Sequence, residues 1–96
     1  MELKKYYLGW GWGSDENVEP EMGVFFTYDD ALSAAKKAHK EEIEYQKSET
    51  KNVSVPNTYV FYYREDDCRF YTMAKISGKR SSLMEYEYEW SMNRGK

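Results

Sequence analysis

The stretch FTYDDALSAAKKAHKEEIEYQK, residues 26–47, decides the fold. Thr27 can cap a helix, and Asp30 three residues on completes a capping box with Asp in place of the usual Glu. Phe26 before the cap and Ala31 after it can form a hydrophobic staple, and Asp29 and Asp30 suit the positive helix terminus. Ala31, Leu32, Ala34, Ala35, Ala38, His39 and Ile43 then fall on one arc at helical spacing, with Lys36, Lys37, Lys40, Glu41 and Glu44 on the other. The pattern predicts a helix to about Lys47 with a stripe of small residues. Such a stripe lets a helix lie close on a sheet, whose large aromatic side chains then fill the intervening volume.

Working outward from the helix, residues 5–12 alternate. Tyr6, Leu8, Trp10 and Trp12 share one side of a strand, and Tyr7, Gly9 and Gly11 share the other. The second side is bare after Tyr7, which lets another backbone approach. Residues 13–22 read as an acidic loop and Gly23 to Phe26 as a short second strand. Beyond the helix, residues 48–57 are polar and end in the turn signal Pro56-Asn57. Three strands follow at roughly 58–64, 68–76 and 82–90, joined by the hairpin-length connections 65–67 and 78–80. The expected fold class is α+β, in the order β-β-α-β-β-β. Residues 1–96 make a single domain, with a mainly antiparallel sheet and one long amphipathic helix on one face.

Composition narrows the function. The 96 residues carry 17 acidic and 14 basic side chains, a net charge of −3. That balance argues against direct nucleic-acid binding and against an anionic membrane surface. No apolar run is long enough to span a bilayer, and no signal peptide is read at the N-terminus. The single cysteine, Cys68, fits a reducing cytoplasm and is expected as a small core residue. Ten Tyr, three Trp and four Phe, with few Leu, Ile or Val, suit pleated sheet and also protein interfaces.

In the last strand Met84, Tyr86, Tyr88 and Trp90 alternate with Glu85, Glu87 and Glu89, which places the aromatic set in the core and the glutamates outside. A three-residue loop at 65–67 sends Val60, Tyr62, Phe70 and Thr72 to the core. It sends Tyr59, Phe61, Tyr63, Tyr71 and Met73 to the outer face. A two-residue loop swaps partners, with Phe61 and Tyr63 inside and Val60 and Tyr62 out. In both registers Tyr71 and Met73 lie outside, and several large side chains remain on the face away from the helix. Leaving each wet forgoes about 1–2 kcal/mol. Such a face marks an interaction surface, although cross-strand aromatic pairing or a homodimer also accounts for it.

Other motifs yield less. Gly9 to Gly13 does not open into a helix and so lacks the anion site of phosphate-binding loops. Asp15, Asn17, Glu19 and Glu21 lack the glycine and terminal glutamate of a calcium loop, and the carboxylates at Glu65, Asp66 and Asp67 read as solvated charge. His39 is expected as a partly buried structural residue. Acidic neighbours disfavour a reactive Cys68 thiolate.

The expectation is therefore a non-enzymatic interaction module or inhibitor, with no catalytic residue, metal or cofactor. Tyr71, Met73, Glu85, Glu87 and Glu89, with loop 13–22, would dock on a basic protein surface. Carboxylates at strand spacing can imitate phosphates, as in phage inhibitors of host defence nucleases, but that comparison is one of class alone. The alternatives are a homodimeric accessory protein burying Tyr71 against its own copy, and a small-molecule binder using Trp10, Trp12 and His39.

Overall fold

The computed structural model describes residues 4–13, 15–49, 54–78 and 82–86. The chain forms β1 (Lys5–Gly11), β2 (Asn17–Val18), a 3-10 turn (Pro20–Met22), β3 (Val24–Phe25), α1 (Tyr28–Glu49), β4 (Asn57–Arg64), β5 (Arg69–Ile76) and β6 (Leu83–Glu85). One long helix packs on a six-stranded sheet whose described pairings are all antiparallel, so the class is α+β. The sheet order is β2-β1-β4-β5-β6, with β3 on the same edge of β1 as β2. The short β2 lies inside the stretch expected as loop.

The helix starts where its cap requires. The Asp30 backbone N–H donates to Thr27 Oγ1 at 3.1 Å, and the Ala31 N–H to the Thr27 carbonyl at 3.2 Å. Ala31, Ala35 and His39, four residues apart, are the buried positions of α1. Against the two alanines pack Tyr6, Leu8, Val60, Tyr62, Met73, Ala74 and Ile76 of the sheet.

His39 closes this core. Its Nε2–H donates to the Gly78 carbonyl at 2.8 Å, and its Nδ1 is hydrogen-bonded to the Thr58 hydroxyl at 2.8 Å. The Gly78 N–H in turn donates to Asn57 Oδ1 at 2.9 Å, and a side chain at Gly78 would strike the Val55 carbonyl. Helix, β4 and the end of β5 are thus tied at one point.

The sheet register departs from expectation in two places. The β4–β5 turn has four residues, Glu65 to Cys68, with Arg64 opposite Arg69. Cys68 closes it in the left-handed region at φ 53° and is exposed, not in the core. A bulge then opposes Val60 with Ala74 and Phe61 with Thr72, leaving Met73 as the extra residue. The extra turn residue sends Tyr71 to the helix side and Phe70 and Thr72 to the outer face. The bulge lets both Met73 and Ala74 face the core.

His39→Ala leaves the Thr58 hydroxyl and the Gly78 carbonyl without partners and opens a cavity. Unfolding stability should fall by about 2–4 kcal/mol in urea denaturation. A loss under about 0.5 kcal/mol would remove His39 from this role.

Candidate functional site

The face of the sheet turned from the helix carries a line of aromatic rings. Tyr59 stacks on Phe61 with centroids 5.7 Å apart, and Phe61 meets the edge of Phe70 at 6.4 Å. Phe70 packs on Tyr7 at 5.4 Å and on Tyr63 at 4.9 Å. Their positions follow from register: Tyr7 lies opposite Phe61 on β4, and Tyr63 opposite Phe70 on β5. Val24 of β3 lies opposite Tyr7 and extends the row.

The two ends of this row differ. Tyr59 and Phe61 are buried, while Tyr7 and Tyr63 are half-buried and Phe70 and Val24 are exposed. The difference arises from Gly9 and Gly11. A side chain on Gly9 would collide with the Asn17 carbonyl and the Phe61 ring, and one on Gly11 with the Asp15 carbonyl. The bare strand therefore admits both the Phe61 ring and the chain returning through Asp15 to Val18. That return begins in a turn, with the Asp15 N–H donating to the Trp12 carbonyl at 2.9 Å and Gly13 at φ 59°. From it the Glu16 carboxylate crosses the sheet and accepts the Thr72 hydroxyl. Beyond Thr72 the rings are open.

The residues singled out by sequence are not brought together on this face. Met73 is only 7% exposed and belongs to the core, so it presents no contact surface. Tyr71 lies on the helix side, packs against the core and donates its hydroxyl to Asp67. Glu85 lies opposite Ala74, and its carboxylate accepts the Tyr28 hydroxyl, so it too faces the helix side. Its neighbour Met84 is the one turned outward, at 52% exposure, which reverses the expected alternation. Glu87 and Glu89 lie outside the described residues. Phe70, expected in the core, joins this outer row instead, because its face depends on the length of one turn.

Charge is uneven along the row. At the β4–β5 turn Glu65 pairs with Lys5 at 3.3 Å and Asp66 with Arg64 at 3.7 Å. In the loop before β3, Asp15, Glu16, Glu19 and Glu21 form no ion pair with a described residue. The Glu19 carboxylate accepts the Trp10 indole N–H at 3.4 Å. The hydrogen bond to the Cys68 side chain raises the Tyr63 hydroxyl pKa above its ordinary value. Trp10 and Trp12 are exposed, and both ring nitrogens of His39 are already engaged. Among the described residues no three His, Cys, Asp or Glu side chains converge as metal ligands, and no helix is long and apolar enough to cross a membrane. Comparison with protein families, curated proteins and solved structures finds no match.

Two outcomes test this geometry. Gly9→Ala should displace the loop and expose Phe61, costing about 1–3 kcal/mol and increasing amide exchange at 15–18. Unchanged exchange there would refute the close approach. The second test concerns pH. Burial pushes the Tyr28 hydroxyl well above the phenol range, and the bond to Glu85 adds to it. The folded state thus keeps a proton that the unfolded chain releases near pH 10. The stabilisation is complete below that pH and declines as pH rises through it. Tyr28→Phe should show a shallower alkaline loss of stability than wild type, and an identical slope would exclude the contact.

Proposed function

We propose that this protein is a non-enzymatic interaction module. It docks on a basic protein surface through the open end of its outer sheet face, Val24, Tyr7, Tyr63 and Phe70, flanked by the acidic loop that runs along the β1 edge from Asp15 at the covered end to Glu21 just before β3. The observation that carries the reading is the unequal cover of one aromatic row. Its Tyr59 end is sealed by the chain itself, whereas Phe70, 43% exposed, packs on three other rings and still meets solvent. Rings held rigidly by their neighbours lose little entropy on binding and suit the centre of an interface. Loop carboxylates without cations favour a basic partner and speed its encounter.

The acidic contacts of this reading are the loop carboxylates. A phosphate-like row of Glu85, Glu87 and Glu89 is not part of it, because Glu85 is engaged by Tyr28 on the helix side. Nor do Trp10, Trp12 and His39 support a small-molecule site, since His39 has no free ring nitrogen.

The test compares immobilised wild-type chain with Phe70→Ala and with the triple change Asp15→Asn, Glu19→Gln, Glu21→Gln. A protein retained by wild type should be lost from Phe70→Ala. The triple variant should hold it about tenfold more weakly, and rising salt should also weaken it. Equal retention by all three chains would refute the site. Sedimentation of the purified chain reads the rival outcome: a dimer abolished by Phe70→Ala makes a second copy the partner.

A further inference from the structure

On the opposite side of the sheet, between α1, β5 and β6, lies a cavity of about 280 Å³ whose described lining is Lys36, His39, Lys40, Ile76 and Leu83. We infer that it is a binding site for a small monocarboxylate with an apolar body. The site is separate from the aromatic face, and the inference does not rest on the function proposed above.

The walls determine the class of ligand. Ile76 is buried and Leu83 is 40% exposed, so together they present hydrocarbon at the floor and mouth. His39 adds a ring whose nitrogens are both occupied, by Thr58 and by the Gly78 carbonyl, and so offers the cavity carbon rather than a hydrogen-bonding group. The stems of Lys36 and Lys40 are apolar as well, and long charged side chains bury such stems while their ammonium groups stay at the water boundary. The two lysines stand one helical turn apart on the same face. Neither forms an ion pair with a described residue. An apolar chamber flanked by two lysines that pair with no described carboxylate is complementary to a molecule with one anionic end and a hydrocarbon remainder. A phosphate or sulfate ion would satisfy the lysines and leave the chamber empty. A neutral apolar molecule would fill it and leave the lysines unused.

Volume sets the size of the guest. At about 280 Å³ the cavity stands at the small end of ligand sites and suits an apolar body of about ten heavy atoms. Straight-chain octanoate meets both requirements.

The experiment titrates octanoate into the full chain by calorimetry, with 1-octanol and inorganic phosphate as comparison probes. Octanoate should bind saturably at millimolar concentration or below, and the other two at least about tenfold more weakly. The double change Lys36→Gln, Lys40→Gln should weaken octanoate by about tenfold or more, the factor that a charge-assisted hydrogen bond supplies. Leu83→Glu places a carboxylate at a partly exposed position of the mouth and should abolish binding without unfolding the chain, as circular dichroism checks. Phe70→Ala, on the other face, should bind as wild type does. Absence of saturable binding to wild type would overturn the inference, as would undiminished binding by the double lysine variant or equal affinity for octanol.

Discussion

The close seating of α1 on the sheet is the contact on which the rest of the molecule depends. Alanine at positions 31 and 35 removes the spacing that larger side chains would impose, and both are fully buried. Tyr6, Leu8, Val60 and Tyr62 reach up into the room this leaves, so the bulk of the core comes from strands rather than from the helix. Alanine contributes little burial by itself. The helix is held at its middle by His39, whose two hydrogen bonds fasten it to β4 and to the end of β5. A buried polar group of this kind is costly unless satisfied. Here it is satisfied twice, and it fixes where along the sheet the helix can sit.

A single helix shelters a single face, so the chain needed another means to cover the second. It uses absence of side chains. Gly9 and Gly11 make a trough in β1 into which the Phe61 ring and the returning backbone both fit. The cover is thin: one turn, one two-residue strand and the Glu16 side chain. It suffices for Tyr59 and Phe61, which are as buried as the residues beneath the helix.

Much of this was legible in the sequence. The cap at Thr27, the arc from Ala31 to Ile43 and the bare side of β1 each rest on local rules of spacing, and local rules survive folding. The structural role of His39 follows from its place at the edge of that arc. What was not legible depends on counting residues across a turn. One additional residue between Arg64 and Arg69 exchanged the faces of Phe70 and Tyr71, and the bulge at Met73 altered parity again two residues later. Nothing in Glu65 to Cys68 announces four turn residues instead of three; Cys68 is an unusual occupant of a left-handed position normally given to glycine or asparagine. The inversion of Met84 and Glu85 has a separate origin: alternation alone placed the larger side chains inward there, whereas Glu85 lies opposite the core residue Ala74.

The extent of the loop's cover explains why the open rings are where they are. The segment between β1 and the helix is pinned to the β1 edge twice, by β2 opposite Gly9 and Trp10 and by β3 opposite Tyr6 and Tyr7. Only the residues before Asn17 are free to cross the outer face, and Glu16 spends its full side chain to reach Thr72. Phe70 and Tyr63 lie further toward the β4–β5 turn, beyond that reach. A sheet needing no partner there would gain nothing from rings and would hold its register with threonine or charged cross-strand pairs. Exposed aromatic side chains beyond the reach of the loop before β3 are an aggregation liability unless something else covers them. This imbalance, more than the number of tyrosines, makes the open end of the row the place to look for a partner.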